Sequence, residues 1–140
     1  MAQALRFQNR LTEAVTILRQ AIQACEPVWG FDNQNVMTAR EILVSTFGRL
    51  ELYAEAEAEC ALLVKADELR RGSESAHVVL NRFYYAQAVF LQEKYEEALE
   101  LIRRAASDTQ RVLGSDHVAT KAAQQMLKVI ERKLGLPSAK

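Results

Sequence analysis

Proline is nearly absent from this chain. Pro27 and Pro137 are the only two in 140 residues, and glycine contributes five. Turn punctuation is therefore sparse, which leaves little room for long irregular loops. β-Branched runs are also rare, while Ala, Leu, Glu, Arg and Gln dominate, all good helix formers. An all-α fold follows before any periodicity is counted. Cysteine is limited to Cys25 and Cys60, 35 residues apart, a spacing that matches no metal or redox motif. Two free thiols suit a reducing compartment. Excess charge is missing: 18 basic side chains balance 18 acidic ones. Nucleic-acid binders need surplus Lys and Arg to displace phosphate counterions, so this balance weighs against DNA or RNA. Long apolar runs are missing too. "CALLV" at 60–64 is among the longest and cannot span a bilayer. The start "MAQALRFQNR" meets charge too early for a signal peptide. These absences predict a soluble, cytoplasmic, single-domain protein with no nucleic-acid or membrane partner.

What the sequence has is a period. Gly30, Gly72 and Gly114 stand 42 residues apart, as do Ala14, Ala56 and Ala98. Leu11, Tyr53 and Tyr95 share the same register. Three copies result: "LTEAVTILRQAIQACEPVWGFDN", "YAEAEAECALLVKADELRRGSES" and "YEEALELIRRAASDTQRVLGSDH". Each reads as a helix with apolar residues at helical spacing. The first places Ala14, Ile17, Leu18, Ala21 and Ile22 on its stripe, the second Ala56, Cys60, Leu63 and Val64, the third Ala98, Leu101, Ile102 and Ala105. The alanine column predicts close approach of a neighbouring helix. The glycine column fits the left-handed residue that ends a helix. Asp32, Ser73 or Ser75, and Ser115 or Asp116 follow as candidate N-caps.

A second helix lies between copies. Residues 34–50, 76–92 and 116–134 carry apolar positions that include Val36, Met37, Ile42 and Phe47, then Val78, Phe83, Tyr84 and Val89, then Val118, Met126 and Ile130. Leu43, Tyr85 and Leu127 are again 42 apart. The unit is helix A, short turn, helix B, glycine turn. A partial repeat spans about 2–33, full repeats span about 34–75 and 76–117, and a closing helix spans about 118–134. One pair cannot bury its apolar faces alone, whereas stacked antiparallel pairs can. The expected fold is an α-solenoid of about seven helices with a short first one.

At this point the chain resembles the tetratricopeptide repeat family, in the 42-residue variant of kinesin light chains. The segment "KYEEALELIRRAASDTQRVLGSDH" carries the resemblance in Tyr95, Glu96, Glu97, Ala98, Leu99, Arg104, Ala105, Val112, Leu113, Gly114, Asp116 and His117. It departs where Val118 replaces the proline that often follows the histidine, and in its few helix-A asparagines, Asn81 being the main candidate. The resemblance implies a right-handed superhelix with A helices lining a concave groove and B helices forming the back. It implies a scaffold that binds peptides or helices and is not an enzyme.

Residue chemistry agrees with a non-catalytic reading. Cys25 and Cys60 fall in or near B-helix stripes, where a buried hydrophobe fits better than a reactive thiol. His77 and His117 sit near helix N-termini, which disfavour the imidazolium. Glu51, Glu55 and Glu59 form one helical line best read as a solvated helix start. Asp67 with Arg71 and Glu100 with Arg104 are i,i+4 pairs. No metal, cofactor or phosphate-loop pattern is present. The groove implied by the resemblance is lined by Thr38, Glu41, Ser45 and Arg49 in repeat two, by Leu80, Phe83, Gln87, Phe90 and Leu91 in repeat three, and by Gln125 in the closing helix. Phe83 and Phe90 fit a core position as well as a groove position, and Tyr84 and Tyr85 point to core. Arg40, Arg49 and Arg82 offer guanidinium partners for acidic groups. A protein or peptide partner in that groove is the expected function. Self-association through the half-covered closing helix, giving a homodimer, is the alternative.

Overall fold

The computed structural model describes residues 2–71 and 75–136, with side chains placed for 6–69 and 75–136. Among these residues there are six helices and no strand: α1 (Ala2–Trp29), α2 (Gln34–Arg49), α3 (Tyr53–Arg71), α4 (Ala76–Leu91), α5 (Tyr95–Leu113) and α6 (Val118–Lys133). The chain forms two compact units, Met1–Arg70 and Arg71–Lys140.

The 42-residue register holds in the backbone. Gly30 and Gly114 lie at φ +92° and +93°, the left-handed region that favours glycine. A Cβ on Gly114 would meet nothing within 4 Å, so the dihedral angle alone selects glycine there. Gly72 and Ser73 lie outside the described residues. The N-caps form a register of their own. The Asn33 Oδ1 accepts from the amides of Asn35 and Val36, at 2.9 and 3.4 Å. The Ser75 Oγ accepts from Val78 at 3.2 Å. The His117 Nδ1 accepts from Ala119 at 3.0 Å. These caps are 42 residues apart and replace Asp32, Ser115 and Asp116 of the sequence reading, because the glycine turn places the residue three positions after it at the helix entry. The opposite turn has a matching signature. Glu51 (φ +59°) and Glu93 (φ +63°) are the only non-glycine residues described with positive φ, and they too are 42 apart.

One element departs from expectation. The short first helix does not exist as a separate element, and six helices stand where about seven were expected. Residues 2–10 continue without a break into α1, which runs for 28 residues. A fold-back helix of two turns would carry the full cost of nucleation with little face to bury, whereas extending α1 adds hydrogen bonds without a new nucleus.

Each unit has its own core. In the first, Met37, Leu63 and Ala66 cluster, with Phe31 and Val44 packed against them. In the second, Phe83, Ala86, Val89, Ala98, Ile102, Ala105, Ala119, Ala123 and Ile130 are buried together, and Tyr85, Phe90 and Tyr95 pack on that cluster. Here α5 lies against both α4 and α6. In the first unit α1 packs on α2. The alanine column is buried at Ala56 and Ala98 and half-buried at Ala14. Ile17 and Ala21, read as core, are exposed; Val15 and Ile22 take the inner face of α1. Ile42, Tyr84 and Val118 are likewise exposed.

Candidate functional site

Helix α2 presents two chemically different faces. Its inner face carries Val36, Met37, Arg40, Leu43, Thr46 and Phe47, all buried. Helical spacing then turns Thr38, Glu41, Ser45 and Arg49 outward together. These four residues, with Ile42 and Thr46, line one shallow open depression. Thr38 and Thr46 anchor their hydroxyls in the helix: Thr38 Oγ1 donates to the Gln34 carbonyl at 2.9 Å, and Thr46 Oγ1 to the Ile42 carbonyl at 2.7 Å. Ile42 supplies an exposed apolar surface between a carboxylate and a guanidinium. Glu41 and Arg49 stand eight residues apart, about 12 Å along the axis.

A buried arginine, Arg40, sits on the inner face of the same helix. The Arg40 guanidinium donates to Glu59 Oε2 at 2.8 Å and also pairs with Glu26. This pairing joins α1, α2 and α3. Glu59 was read as part of a solvated helix start, but its side chain is largely buried and committed to Arg40. Burying a charge is tolerable only with such partners. Arg40 also lines a second open depression, with Arg19, Gln23, Glu26, Pro27 and Glu59. Its two terminal nitrogens are taken by Glu59 and Glu26, while its buried Nε has no hydrogen-bond partner.

In the second unit the groove residues divide. Phe83 is 4% exposed and belongs to the core cluster. It cannot touch a partner without opening that core. Leu80 and Gln87 are half-buried and Leu91 is exposed. Phe90 is half-buried, its ring edge-on to Tyr95 with centroids 5.8 Å apart. Tyr84, read as core, is exposed and tilts against Phe83 at 5.5 Å. Asn81 is buried. Gln125 is exposed on α6. Behind α4, Asp108 gathers three guanidiniums: Arg111 at 2.8 Å, Arg104 at 3.6 Å and Arg82 at 4.0 Å. Arg104 therefore turns to Asp108 and not to Glu100, whose partner is Arg103 at 3.3 Å. The Arg71 side chain lies outside the described residues, so its pairing with Asp67 does too.

Cys60 and His117 both serve the fold. The Cys60 thiol is fully buried, and desolvation, with the nearby Glu59 and Glu57 charges, pushes its pKa from 9.0 up to about 12. His117 spends its Nδ1 on the α6 cap. Among the described residues no group of three His, Cys, Asp or Glu side chains is placed to hold a metal ion. No described helix is long and apolar enough to cross a membrane.

A sequence model described as tetratricopeptide repeat matches residues 1–33 and 86–119. The crystal structure of BtubC (BKLC) from P. vanneervenii shares the fold, with a TM-score of 0.76 at 16% identity. The alignment covers 91% of this chain and 51% of that one, so this chain spans about half the length of its structural relative. No curated protein matches the sequence. With the capped, glycine-closed helix pairs at 42-residue spacing, these matches support a tetratricopeptide repeat assignment for the matched segments, and the fold is that of the structural relative. Repeats of this family generally mediate protein–protein interaction and are typically non-catalytic.

Proposed function

We propose that this chain is a non-catalytic interaction module that binds a peptide or helical segment of a partner protein on its A-type helices, α2 foremost. The supporting observation is the depression on α2, where Thr38, Glu41, Ser45 and Arg49 surround Ile42. Its chemistry defines a partner: an apolar side chain to cover Ile42, flanked by a basic and an acidic group about 12 Å apart to meet Glu41 and Arg49. In the second unit, taken by itself, Leu80, Gln87, Phe90 and Leu91 of α4 and Gln125 of α6 are the residues we propose for partner contact. The partner is a protein, and the setting cytoplasmic.

Peptide display against the purified chain tests this. Selected peptides should bind the native protein and lose at least tenfold in affinity to a Ser45→Arg/Arg49→Glu variant with an unchanged circular dichroism spectrum. Both positions are exposed, so the variant keeps its core. Full affinity in that variant would contradict the reading.

A further inference from the structure

The depression that Arg40 lines is distinct from the one on the outer face of α2, and the two share no residue. Its volume is about 420 Å³, in the range of small-ligand sites. Ile22 and Leu43, both buried, form its apolar floor. Its charges do not balance locally. Arg40 is 7% exposed and meets two carboxylates, each through Oε2. One negative charge is left over, and among the described residues no hydrogen bond engages Oε1 of Glu26 or of Glu59. The Arg40 Nε–H, buried in the same wall, has no acceptor there either. A buried donor without a partner is costly, and an acceptor supplied by a ligand would relieve it.

The second unit shows what this position needs for packing alone. Eighty-four residues on, Glu26, Arg40 and Leu43 become Gln110, Gln124 and Leu127. Gln124 Nε2 donates to Gln110 Oε1 at 3.4 Å, so a neutral amide pair joins α5 to α6 where an ion cluster joins α1 to α2. Arg19 becomes Arg103, which pairs with Glu100 at 3.3 Å. The counterpart of Glu100 in the first unit is Thr16. Arg19 accordingly has no ion pair or hydrogen bond among the described residues, and its guanidinium lies over the Phe47 ring at 5.1 Å. The first unit thus carries charges that helix packing does not require. Arg19 and Glu26 are seven residues apart on α1, about 10 Å along the axis.

We propose that this depression binds a basic amino-acid residue with a free α-carboxylate, as a free amino acid or as the C-terminal residue of a partner chain. The basic side chain sits against the Oε1 atoms of Glu26 and Glu59 and cancels the surplus charge. Its aliphatic stem lies on Ile22 and Leu43. The carboxylate reaches Arg19, whose planar fork takes two oxygens at once. An extended arginine, with a hydrogen bond at each end, matches the separation of the two poles. A ligand with only a cation or only a carboxylate would leave one pole unpaired. The depression is open to water, so affinity for so small a ligand is weak.

Amide chemical-shift titration of the intact labelled chain with single compounds tests this. L-Arginine and N-acetyl-arginine should produce saturable shifts at Arg19, Ile22, Glu26, Arg40 and Glu59. Agmatine, which lacks the carboxylate, and norleucine, which lacks the cation, should bind at least tenfold more weakly. Arg19→Ala, at an exposed position, should reduce N-acetyl-arginine to the level of agmatine and leave agmatine unchanged. Binding of free arginine alone supports the site with a free amino acid as its ligand. Equal binding of N-acetyl-arginine and of a peptide ending in arginine supports it with a chain terminus as its ligand. Agmatine binding as tightly as arginine, arginine binding that survives Arg19→Ala, or no saturable shift with any compound would overturn the proposal. The Ser45→Arg/Arg49→Glu variant should bind N-acetyl-arginine as the wild type does, so failure here and failure at the α2 depression are told apart.

Discussion

At the scale of single residues, backbone conformation and burial decide more than charge. Glu51 and Glu93 hold a left-handed conformation that costs an L-residue about 1–2 kcal/mol, part of which glycine returns through its greater freedom in the unfolded chain. Glu93→Gly should therefore raise stability by roughly 0.5 kcal/mol, seen as a higher urea midpoint at constant slope. Cys60 gives a pH signature. Its folded pKa, about 12, lies above the ordinary 9.0, so the unfolded chain releases the proton first. Above pH 9 the unfolded state binds fewer protons, and stability falls with rising pH by up to about 1.4 kcal/mol per unit until the folded thiol itself titrates. Lysines and tyrosines titrate in the same range, so the useful quantity is a difference. The stability advantage of wild type over Cys60→Ala should shrink by about 2 kcal/mol between pH 8 and 10.5. A constant gap would mean that the thiol is not held neutral by burial. Some residue assignments were out of reach of sequence for a clear reason. Asp32, Ser115 and Asp116 are all good capping side chains, and only the backbone path after each glycine selects Asn33, Ser75 and His117.

At the scale of helices, periodicity reports that a face is apolar but not which neighbour covers it. The glycine, alanine and aromatic columns located five of the six helices to within a residue or two, because each column answers a local steric demand. The stripe of α1 could not be resolved in the same way. Ile17 and Val15 are both apolar and lie on different faces, and only packing shows that Val15 is inside. Phe83 and Tyr84 present the same ambiguity in α4. Arg40 is the residue whose role sequence underrated. It was legible as a guanidinium able to pair with acids, but its partners lie 14 and 19 residues away on other helices. Removing it would strand Glu26 and Glu59. Arg40→Met should cost roughly 2–4 kcal/mol in chemical denaturation, the lower end reflecting the partial exposure of Glu26. Arg40→Lys should recover little, since a single ammonium cannot reproduce the two-pronged contact. A loss under about 0.5 kcal/mol would show that the three-helix junction does not depend on this ion cluster.

At the scale of the whole molecule, one chain separates two kinds of surface. On α6, Lys121, Gln125, Lys128 and Arg132 are exposed, whereas Val79, Phe83, Ala86 and Phe90 of α4, 42 residues earlier, are buried or half-buried. The α2 depression lies within the first unit. Its residues were legible as a group because a helix that buries Val36, Arg40, Leu43 and Phe47 must turn Thr38, Glu41, Ser45 and Arg49 the other way. The aromatic cluster of α4 looked more like a binding site in sequence, yet Phe83 fills its own core and leaves Tyr84 and Leu91 outside. The central claim is that a partner segment seats on α2. The most direct measurement is an amide chemical-shift titration of the isotope-labelled protein with a display-selected peptide. The largest changes should fall at residues 38, 41, 42, 45 and 49. Saturating changes confined to α1, or to the Arg40 depression, would contradict the account.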